Sequence, residues 1–177
     1  DMNKKSGLKN YVMAVILVIV AVLLDQYTKY LAVTHLKGNS AYVLIDNVFE
    51  LTYLENRGAA FGLLQNRQIF FVCVAVLIFA FILYCYVRIP KTKRYLPLRL
   101  CGVFIVAGAA GNLIDRISHG YVVDFFYFRL IDFPVFNVAD IYVTVAFVVL
   151  LLLIFFRYKE EELEFLGRKK GTDADGE

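Results

Sequence analysis

The stretch "VVDFFYFRLIDFPVFNVAD", residues 122–140, is apolar enough to lie in or against a membrane. It nevertheless carries three carboxylates, at Asp124, Asp132 and Asp140. Asp124 stands between valines and phenylalanines, in a run of β-branched and aromatic residues that is typical of a strand. A carboxylate in such surroundings is costly, so its presence indicates either a function or a specific partner.

The composition of the whole chain is that of a membrane protein. Of its 177 residues, 60% are hydrophobic, and the mean hydropathy of +0.63 is above that of ordinary soluble domains. The formal net charge of +3 is too small to indicate a nucleic-acid partner. Three cysteines without a C-x-x-C pair and two distant histidines argue against a zinc site or a disulfide framework. We therefore expect no metal and no cofactor.

Four apolar stretches are long enough, or nearly so, to cross the hydrocarbon core of a bilayer as helices. They cover residues 11–33, 69–87, 97–114 and 136–156. The third contains small residues, among them Gly108 and Gly111, where the backbone of a second helix can approach closely.

The distribution of lysine and arginine predicts the orientation of these spans. Basic residues precede the first span, cluster between the second and third, and follow the fourth, which assigns those segments and both termini to the cytoplasm. The connections at 34–68 and 115–135 are then on the outer side. We expect one integral membrane domain over residues 1–158 and a charged cytoplasmic tail over residues 159–177.

The first outer connection is too long for a simple turn. It contains two strand-like runs, Tyr42 to Ile45 and Val48 to Leu54, which predict a hairpin or small sheet at about residues 40–56. The following segment, "GAAFGLLQNRQ" at 58–68, is typical of a short apolar helix or loop on the membrane surface.

Several polar residues lie inside or beside the spans. Asp25 and Lys29 are four residues apart on one helix face and are expected to pair. Both a structural ion pair and a direct role in chemistry are compatible with this spacing. Asn112, Asp115 and Arg116 lie at the outer end of the third span, where the two charged residues are compatible with ordinary interfacial charges.

The fourth span begins with "FNVAD", in which Asn137 suits an N-cap and Asp140 suits the first turn of a helix. Asp124 has no such local explanation unless it pairs with Arg116 or Arg129. Because Asp124 and Asp140 flank the same outer connection, we expect them to converge at the membrane surface.

Two carboxylates held close together cannot both ionise easily, so they share a proton and act as a base and an acid. Rival chemistries have less support. Ser118 and His119 are adjacent, point apart on a helix and have no orienting partner. Nothing in the spacing favours a dyad of Lys29 with Ser40 or Ser118.

Five segments together resemble one known family, the lipoprotein signal peptidases, also called signal peptidase II. They are "DQYTK" (25–29), "ENRGAAFG" (55–62), "GNLIDR" (111–116), "VVDF" (122–125) and "FNVAD" (136–140). Each segment is a modest signal by itself, but all five in this order and spacing are highly specific. Members of this family are bacterial inner-membrane aspartic proteases.

The resemblance implies a role for each matching residue. Asp124 and Asp140 correspond to the catalytic pair. Three polar residues correspond to positions that line the site: Asn56, Arg116 and Asn137. Four correspond to structural support: Asp25, Lys29, Asn112 and Asp115. Gly58 is expected to be a flexible point of the outer connection, and Asp132 falls where members vary and is interpreted as surface charge.

The resemblance also implies the fold, the substrate and the location. The fold class is an all-α membrane protein, a four-helix transmembrane bundle with a small extracytoplasmic β-cradle and a short surface helix. The substrates are diacylglyceryl-modified prolipoproteins, cut before the lipidated cysteine. The enzyme is expected to be monomeric, to contact membrane phospholipid, and to have its active site at the outer face of the bacterial cytoplasmic membrane.

Two other classes of function are compatible with buried carboxylates. A small proton-coupled transporter or channel would use Asp25 and the aspartate pair as relay groups, but the halves of the chain show no inverted repeat. A purely structural assembly factor would use the carboxylates only as helix caps and ion-pair partners.

Overall fold

Four long helices form the body of the protein. The computed structural model describes residues 2–58 and 67–167, with side chains from residue 7 onward. The helices are α1 (Met2–Leu36), α2 (Gln68–Arg88), α3 (Leu96–His119) and α4 (Val138–Phe156). Each is long and apolar enough to cross a membrane, which confirms the predicted number of spanning helices.

The outer surface of the bundle is apolar, as expected of helices that face lipid. Large hydrophobic side chains such as Leu77, Phe81 and Phe155 are exposed along the helices. In α2 the only buried residue is Ala75. This distribution, with apolar groups outward and charged groups inward, is that of a multi-pass membrane protein.

Helix α3 lies at the centre and packs against the other three helices. Pro97 lies in its first turn, and Gly120 follows its last residue as the C-cap, with a φ of 77°, the left-handed conformation that favours glycine at this position. A side chain at Gly108 would collide with the carbonyl oxygen of Ala139 and with Val143. Glycine at this position therefore allows the backbones of α3 and α4 to approach closely, as predicted.

A three-stranded antiparallel sheet covers one end of the bundle. Its strands are β1 (Tyr42–Ile45), β2 (Phe49–Asn56) and β3 (Val122–Tyr127), in the order β1-β2-β3. The predicted hairpin is present, and the strand-like run around Asp124 joins it as the third strand. In the register of β2 and β3, Leu54 pairs with Asp124 and Asn56 with Val122, which brings Asn56 beside the aspartate.

The sheet is attached to the end of α1 by a small hydrophobic core. Ala32 and Leu36 of α1 pack with Val123 and Phe125 of β3, and all four are buried. Side chains alternate along a strand, so Val123 and Phe125 point to one face while Asp124 points to the other. This packing fixes the direction in which the Asp124 carboxylate faces.

The opposite end of the bundle is closed by two short 3₁₀ helices, Lys93–Tyr95 and Glu160–Leu166. The rings of Tyr95 and Tyr158 stack with centroids 5.4 Å apart, and Arg94 pairs with Glu162 at 3.0 Å. The first part of the predicted tail thus folds back onto the helices. Most of the predicted surface segment, residues 59–66, and the rest of the tail, residues 168–177, lie outside the described residues, so those expectations stay predictions.

Candidate active site

Asp124 of β3 and Asp140 of α4 line the same cavity, at the end of the bundle that carries the sheet. The cavity has a volume of about 500 Å³ and is also lined by Asn56, Gly58 and Arg116. The predicted convergence of the two aspartates is therefore present in the folded chain, although 15 residues of intervening sequence separate them.

The first turn of α4 holds Asp140 in place. The Asn137 side chain accepts a hydrogen bond from the Asp140 backbone N–H at 3.0 Å, and the Asp140 Oδ2 accepts one from the Asn137 backbone N–H at 3.1 Å. This reciprocal arrangement is a capping box, as the spacing predicts. The Asn137 side chain also donates to Asp124 Oδ1 at 2.6 Å. The helix cap thus couples the two aspartates.

Asp124 is almost completely buried, with 1% of its surface exposed. Its second oxygen, Oδ2, accepts a hydrogen bond from the Asn56 side chain at 2.9 Å. Burial, and next the negative charge of Asp140, raise the pKa of Asp124 to about 7, against the opposing hydrogen bonds of Asn56 and Asn137. Burial therefore favours the neutral form of this carboxyl group.

Neither arginine considered as a partner for Asp124 forms a salt bridge with it in the described part of the chain. Arg129 instead contacts Glu50, at 3.4 Å. The Arg116 guanidinium lies 4.4 Å from the centre of the Phe71 ring and donates to the Gly58 carbonyl at 3.3 Å. Asp124 is therefore hydrogen-bonded to the side-chain amides of Asn56 and Asn137 and not paired with an arginine.

Gly58 is buried and connects Arg116 to the aspartate pair. Its backbone N–H donates to Asn56 Oδ1 at 3.0 Å. Because the amide oxygen of Asn56 is engaged in this way, its NH₂ group faces Asp124. Arg116, Gly58 and Asn56 therefore form one line of contacts that ends at the carboxylate.

Asn112 of α3 has an equivalent role at Asp140. Its NH₂ group donates to Asp140 Oδ1 at 2.8 Å. Its oxygen accepts hydrogen bonds from Lys29 Nζ at 3.0 Å and from the Asn137 side chain at 3.1 Å. Since an ammonium group can only donate, Lys29 determines which end of the Asn112 amide faces Asp140.

Behind Asn112 lies a buried cluster of three charged residues. Lys29 Nζ is 2.9 Å from Asp25 Oδ2 and 3.1 Å from Asp115 Oδ2. The predicted pairing of Asp25 with Lys29 is present. Of the two readings of Asp115, an ordinary interfacial charge is excluded, because this residue is buried and shares Lys29 with Asp25. None of the three lines the cavity that contains the aspartates, which favours structural support over direct contact with a substrate.

The two carboxylates of this cluster also bind backbone groups. Asp25 Oδ1 accepts from the Ala139 N–H at 2.9 Å, and Asp115 Oδ2 accepts from the Val123 N–H at 3.0 Å. Ala139 and Val123 are the immediate neighbours of Asp140 and Asp124. The cluster therefore positions the backbone on which each aspartate stands.

Two participants have no counterpart in the sequence predictions. Gln26 donates to Asp115 Oδ1 at 2.9 Å and to the Gly111 carbonyl at 3.2 Å, and the only available signal was its position next to Asp25. Phe71 lines the cavity and stacks on Arg116. As one apolar residue within an apolar span, it gave no signal.

The described residues contain no group of three or more His, Cys, Asp or Glu side chains arranged to hold a metal ion. What the site offers is a pair of carboxylates with hydrogen bonds to three amides, in a cavity at one end of a membrane-spanning bundle. Such a pair supports acid–base catalysis of the kind that aspartic proteases use. The fold and the site together assign this protein to the class of membrane-spanning proteins that carry a pair of carboxylates in a cavity.

The comparisons with known proteins identify the family. The family model described as signal peptidase (SPase) II matches residues 17–156. A lipoprotein signal peptidase of Caldanaerobacter subterraneus subsp. tengcongensis is 44% identical over 146 residues, which are 82% of this chain and 97% of the relative. Those of Clostridioides difficile and Symbiobacterium thermophilum are 45% and 49% identical, over 80% and 76% of this chain and 94% and 88% of theirs. The chain belongs to the signal peptidase II family, and it is a membrane protease.

Solved structures share the fold of this chain. Two bacterial membrane enzymes, determined by the in meso method at 2.3 and 1.9 Å resolution, match with TM-scores of 0.70 and 0.69. Their identities to this chain are 29% and 28%, and the matches cover 80% and 82% of it and 87% and 94% of those chains. The alternative of a transporter or channel receives no support from these comparisons.

Removal of the buried ammonium group should destabilise the fold. A Lys29→Met substitution leaves Asp25 and Asp115 as uncompensated buried carboxylates, and we expect the free energy of unfolding to fall by at least about 3 kcal/mol. The measurement is unfolding by SDS in mixed micelles. Lys37→Met is the matched control, because Lys37 is half exposed and pairs with Glu55 at the surface, so little change is expected. Equal effects of the two substitutions would contradict the proposed importance of the cluster.

Proposed function

We propose that this protein is an aspartic endopeptidase that removes the signal peptide from diacylglyceryl-modified prolipoproteins, by cutting before the lipidated cysteine. Membership of the signal peptidase II family supports this substrate class, since the relatives are named lipoprotein signal peptidases. The observation that carries the proposal is the pair formed by Asp124 and Asp140, which share one cavity and are joined through Asn137.

The proposed reaction uses the pair as a base and an acid with one shared proton. The ionised carboxylate takes a proton from water, whose oxygen attacks the carbonyl carbon of the scissile bond. The protonated carboxyl group gives its hydrogen to the carbonyl oxygen, so that a neutral tetrahedral intermediate forms. When the intermediate collapses, the C–N bond breaks, and the hydroxyl group formed from the carbonyl oxygen returns its proton to the carboxylate that supplied it. The leaving amine takes the proton that the other carboxylate had removed from water.

The surrounding residues have supporting roles in this proposal. Asn56, Asn112 and Asn137 each direct an NH₂ group at a carboxylate oxygen, which orients the pair. Arg116 supplies a positive charge on the wall of the cavity, and Gly58 connects it to Asn56. The three buried ions behind Asn112 support the backbone at both aspartates.

The proposed enzyme has its aspartate pair at the outer face of the bacterial cytoplasmic membrane and both termini inside. The connection at the opposite end of the bundle carries the basic residues Arg88, Lys91, Lys93 and Arg94, which supports this orientation. A substrate held in the bilayer by its signal helix and its lipid meets such a site at a fixed depth. The monomeric state and the contact with membrane phospholipid belong to the same proposal.

Labelling of single cysteines tests the orientation. In a background without Cys73, Cys85 and Cys101, a cysteine at the exposed Asn47 should react in intact cells with a maleimide that does not cross the membrane. A cysteine at the exposed Glu164 should react only after the cells are opened, because it lies at the other end of the bundle. The reverse pattern would contradict the proposed orientation.

Substitution of either aspartate tests the chemistry. We expect Asp124→Asn and Asp140→Asn to lower kcat by at least about 100-fold, because each removes one member of the acid–base pair. The measurement is cleavage of a diacylglyceryl-modified prolipoprotein in detergent, with thermal unfolding of each variant as a check of the fold. Asp132→Asn is the control, since Asp132 is exposed and its contact is with Tyr127. Near-normal turnover in a folded variant of either aspartate would refute its assignment.

The pH dependence tests whether Asp124 carries the shared proton. Its pKa is raised to about 7, so the proton is present below that pH and is lost as the pH rises through it. We expect kcat/KM to fall about tenfold per pH unit on the alkaline side of this value. Asn56 donates a hydrogen bond that favours the ionised form, so Asn56→Leu should move the alkaline limb to higher pH. If the alkaline limb does not move, the fall of kcat/KM at high pH is caused by the ionisation of a group other than Asp124.

A further inference from the structure

The cavity of the aspartate pair continues into a second space between α2, α3 and α4. This space, the interhelical cleft, has a volume of about 240 Å³. Residues from all three helices line both the cavity and the cleft, namely Phe71, Asn112, Arg116, Asp140 and Thr144. Because the two spaces share walls on every helix that surrounds the cleft, they meet beside Asp140.

Four of the five shared residues already belong to the site described above, and Thr144 is the exception. It lies four residues after Asp140 on α4, so its side chain follows that of Asp140 on the same face of the helix. Four residues of helix correspond to roughly 6 Å. Since α4 begins at the end of the bundle that carries the sheet, Thr144 lies about one turn deeper in the membrane-spanning part than Asp140.

The hydroxyl group of Thr144 has no hydrogen-bond partner within the described part of the chain. Threonines in helices commonly donate to a carbonyl group three or four residues earlier. Thr28 and Thr34 of α1 do so, to the backbone carbonyls of Asp25 at 2.8 Å and Tyr30 at 2.9 Å. Thr144 is instead exposed to the two spaces, and its hydroxyl can still donate one hydrogen bond.

Thr144 lies where the polar part of the interhelical cleft ends. The cleft has four polar residues, three of which, Asn112, Arg116 and Asp140, surround the catalytic end, and the rest of its lining is apolar. On α4, residues 145–156 are all apolar. Thr144 is therefore the last polar group that a peptide meets when it passes from the aspartates along α4 into the membrane.

We infer that the Thr144 hydroxyl binds the backbone of the substrate's signal peptide, just before the bond that is cut. This inference rests on the proposed function. The signal peptide precedes the scissile bond and crosses the membrane, so it runs past Thr144 into the interhelical cleft when that bond lies at the aspartates. A segment that is extended for cleavage lacks the internal hydrogen bonds of a helix, and inside the membrane no water replaces them.

The spacing of Asp140 and Thr144 indicates which substrate group is bound. In an extended peptide, carbonyl groups two residues apart point in the same direction and are separated by roughly 6.6 Å. This separation is close to the roughly 6 Å between the two residues along α4. With the scissile carbonyl at the aspartates, the carbonyl two residues earlier lies at Thr144. The hydroxyl donates to this carbonyl and holds the scissile bond in register with the aspartates.

Removal of the hydroxyl group tests this contact. Thr144→Val keeps the branched shape and removes the hydroxyl, whereas Thr144→Ser keeps the hydroxyl and removes the methyl group. Thr34→Val is the matched control, because it makes the same change at an exposed threonine that binds only its own helix. Two diacylglyceryl-modified substrates are compared. One has an ordinary backbone, and in the other the amide bond that contains the inferred carbonyl is an ester, whose carbonyl is a weaker acceptor.

We expect Thr144→Val to lower kcat/KM for the ordinary substrate about tenfold, the effect of one lost hydrogen bond between neutral groups. Thr144→Ser and Thr34→Val should stay close to wild type. The ester should lower kcat/KM of the wild-type enzyme roughly threefold. It should have no further effect in the Thr144→Val enzyme, where the hydrogen bond is already absent. Thermal unfolding of each variant checks the fold.

Three outcomes would overturn the inference. A folded Thr144→Val enzyme with wild-type kcat/KM would show that the hydroxyl is not used. Equal losses in Thr144→Val and Thr144→Ser would show that the shape of the side chain matters and not its hydroxyl. An ester effect of the same size in the wild-type and Thr144→Val enzymes would exclude the inferred carbonyl as the partner. A wild-type enzyme that does not cut the ordinary substrate would refute the proposed function itself, and the inference with it.

Discussion

The ammonium group of Lys29, buried between Asp25 and Asp115, is the interaction on which the rest of the structure depends. In a membrane protein a charge can be buried only if it is paired and hydrogen-bonded, since no water is available to compensate it. Lys29 meets this condition with two carboxylates and one amide oxygen. The lysine comes from α1 and Asp115 from α3, so the pairing fixes how these two helices are rotated against each other.

This cluster positions the aspartate pair by two routes. The first is backbone: Asp25 binds the N–H of Ala139 and Asp115 binds that of Val123, which are the residues that precede Asp140 and Asp124. The second is through side chains, because Lys29 orients Asn112 and Asn112 donates to Asp140. The geometry of two carboxylates from a helix and a strand thus depends on one cation that contacts neither of them.

The same arrangement explains why small residues lie where they do. A side chain at Gly111 would collide with the carboxylate of Asp25, and one at Gly108 would collide with the backbone of α4. Close packing on this face of α3 brings the charged cluster, Asn112 and the capping box of α4 together.

The sequence by itself determined the local features of this protein. Four apolar runs predicted the helices, the i,i+4 spacing predicted the pairing of Asp25 with Lys29, and the Asn137 to Asp140 spacing predicted the cap, because each depends on near neighbours along the chain. The five motif segments indicated the family, which the comparisons confirm. The position of Asp124 in an apolar strand was enough to mark it as unusual.

Only the tertiary structure decided which distant groups meet. Asp115 and Lys29, Asn137 and Asp124, and Phe71 and Arg116 are brought together by the way the helices pack. Sequence periodicity could not reveal which helix each of these residues would meet, because lipid and neighbouring helices are equally apolar.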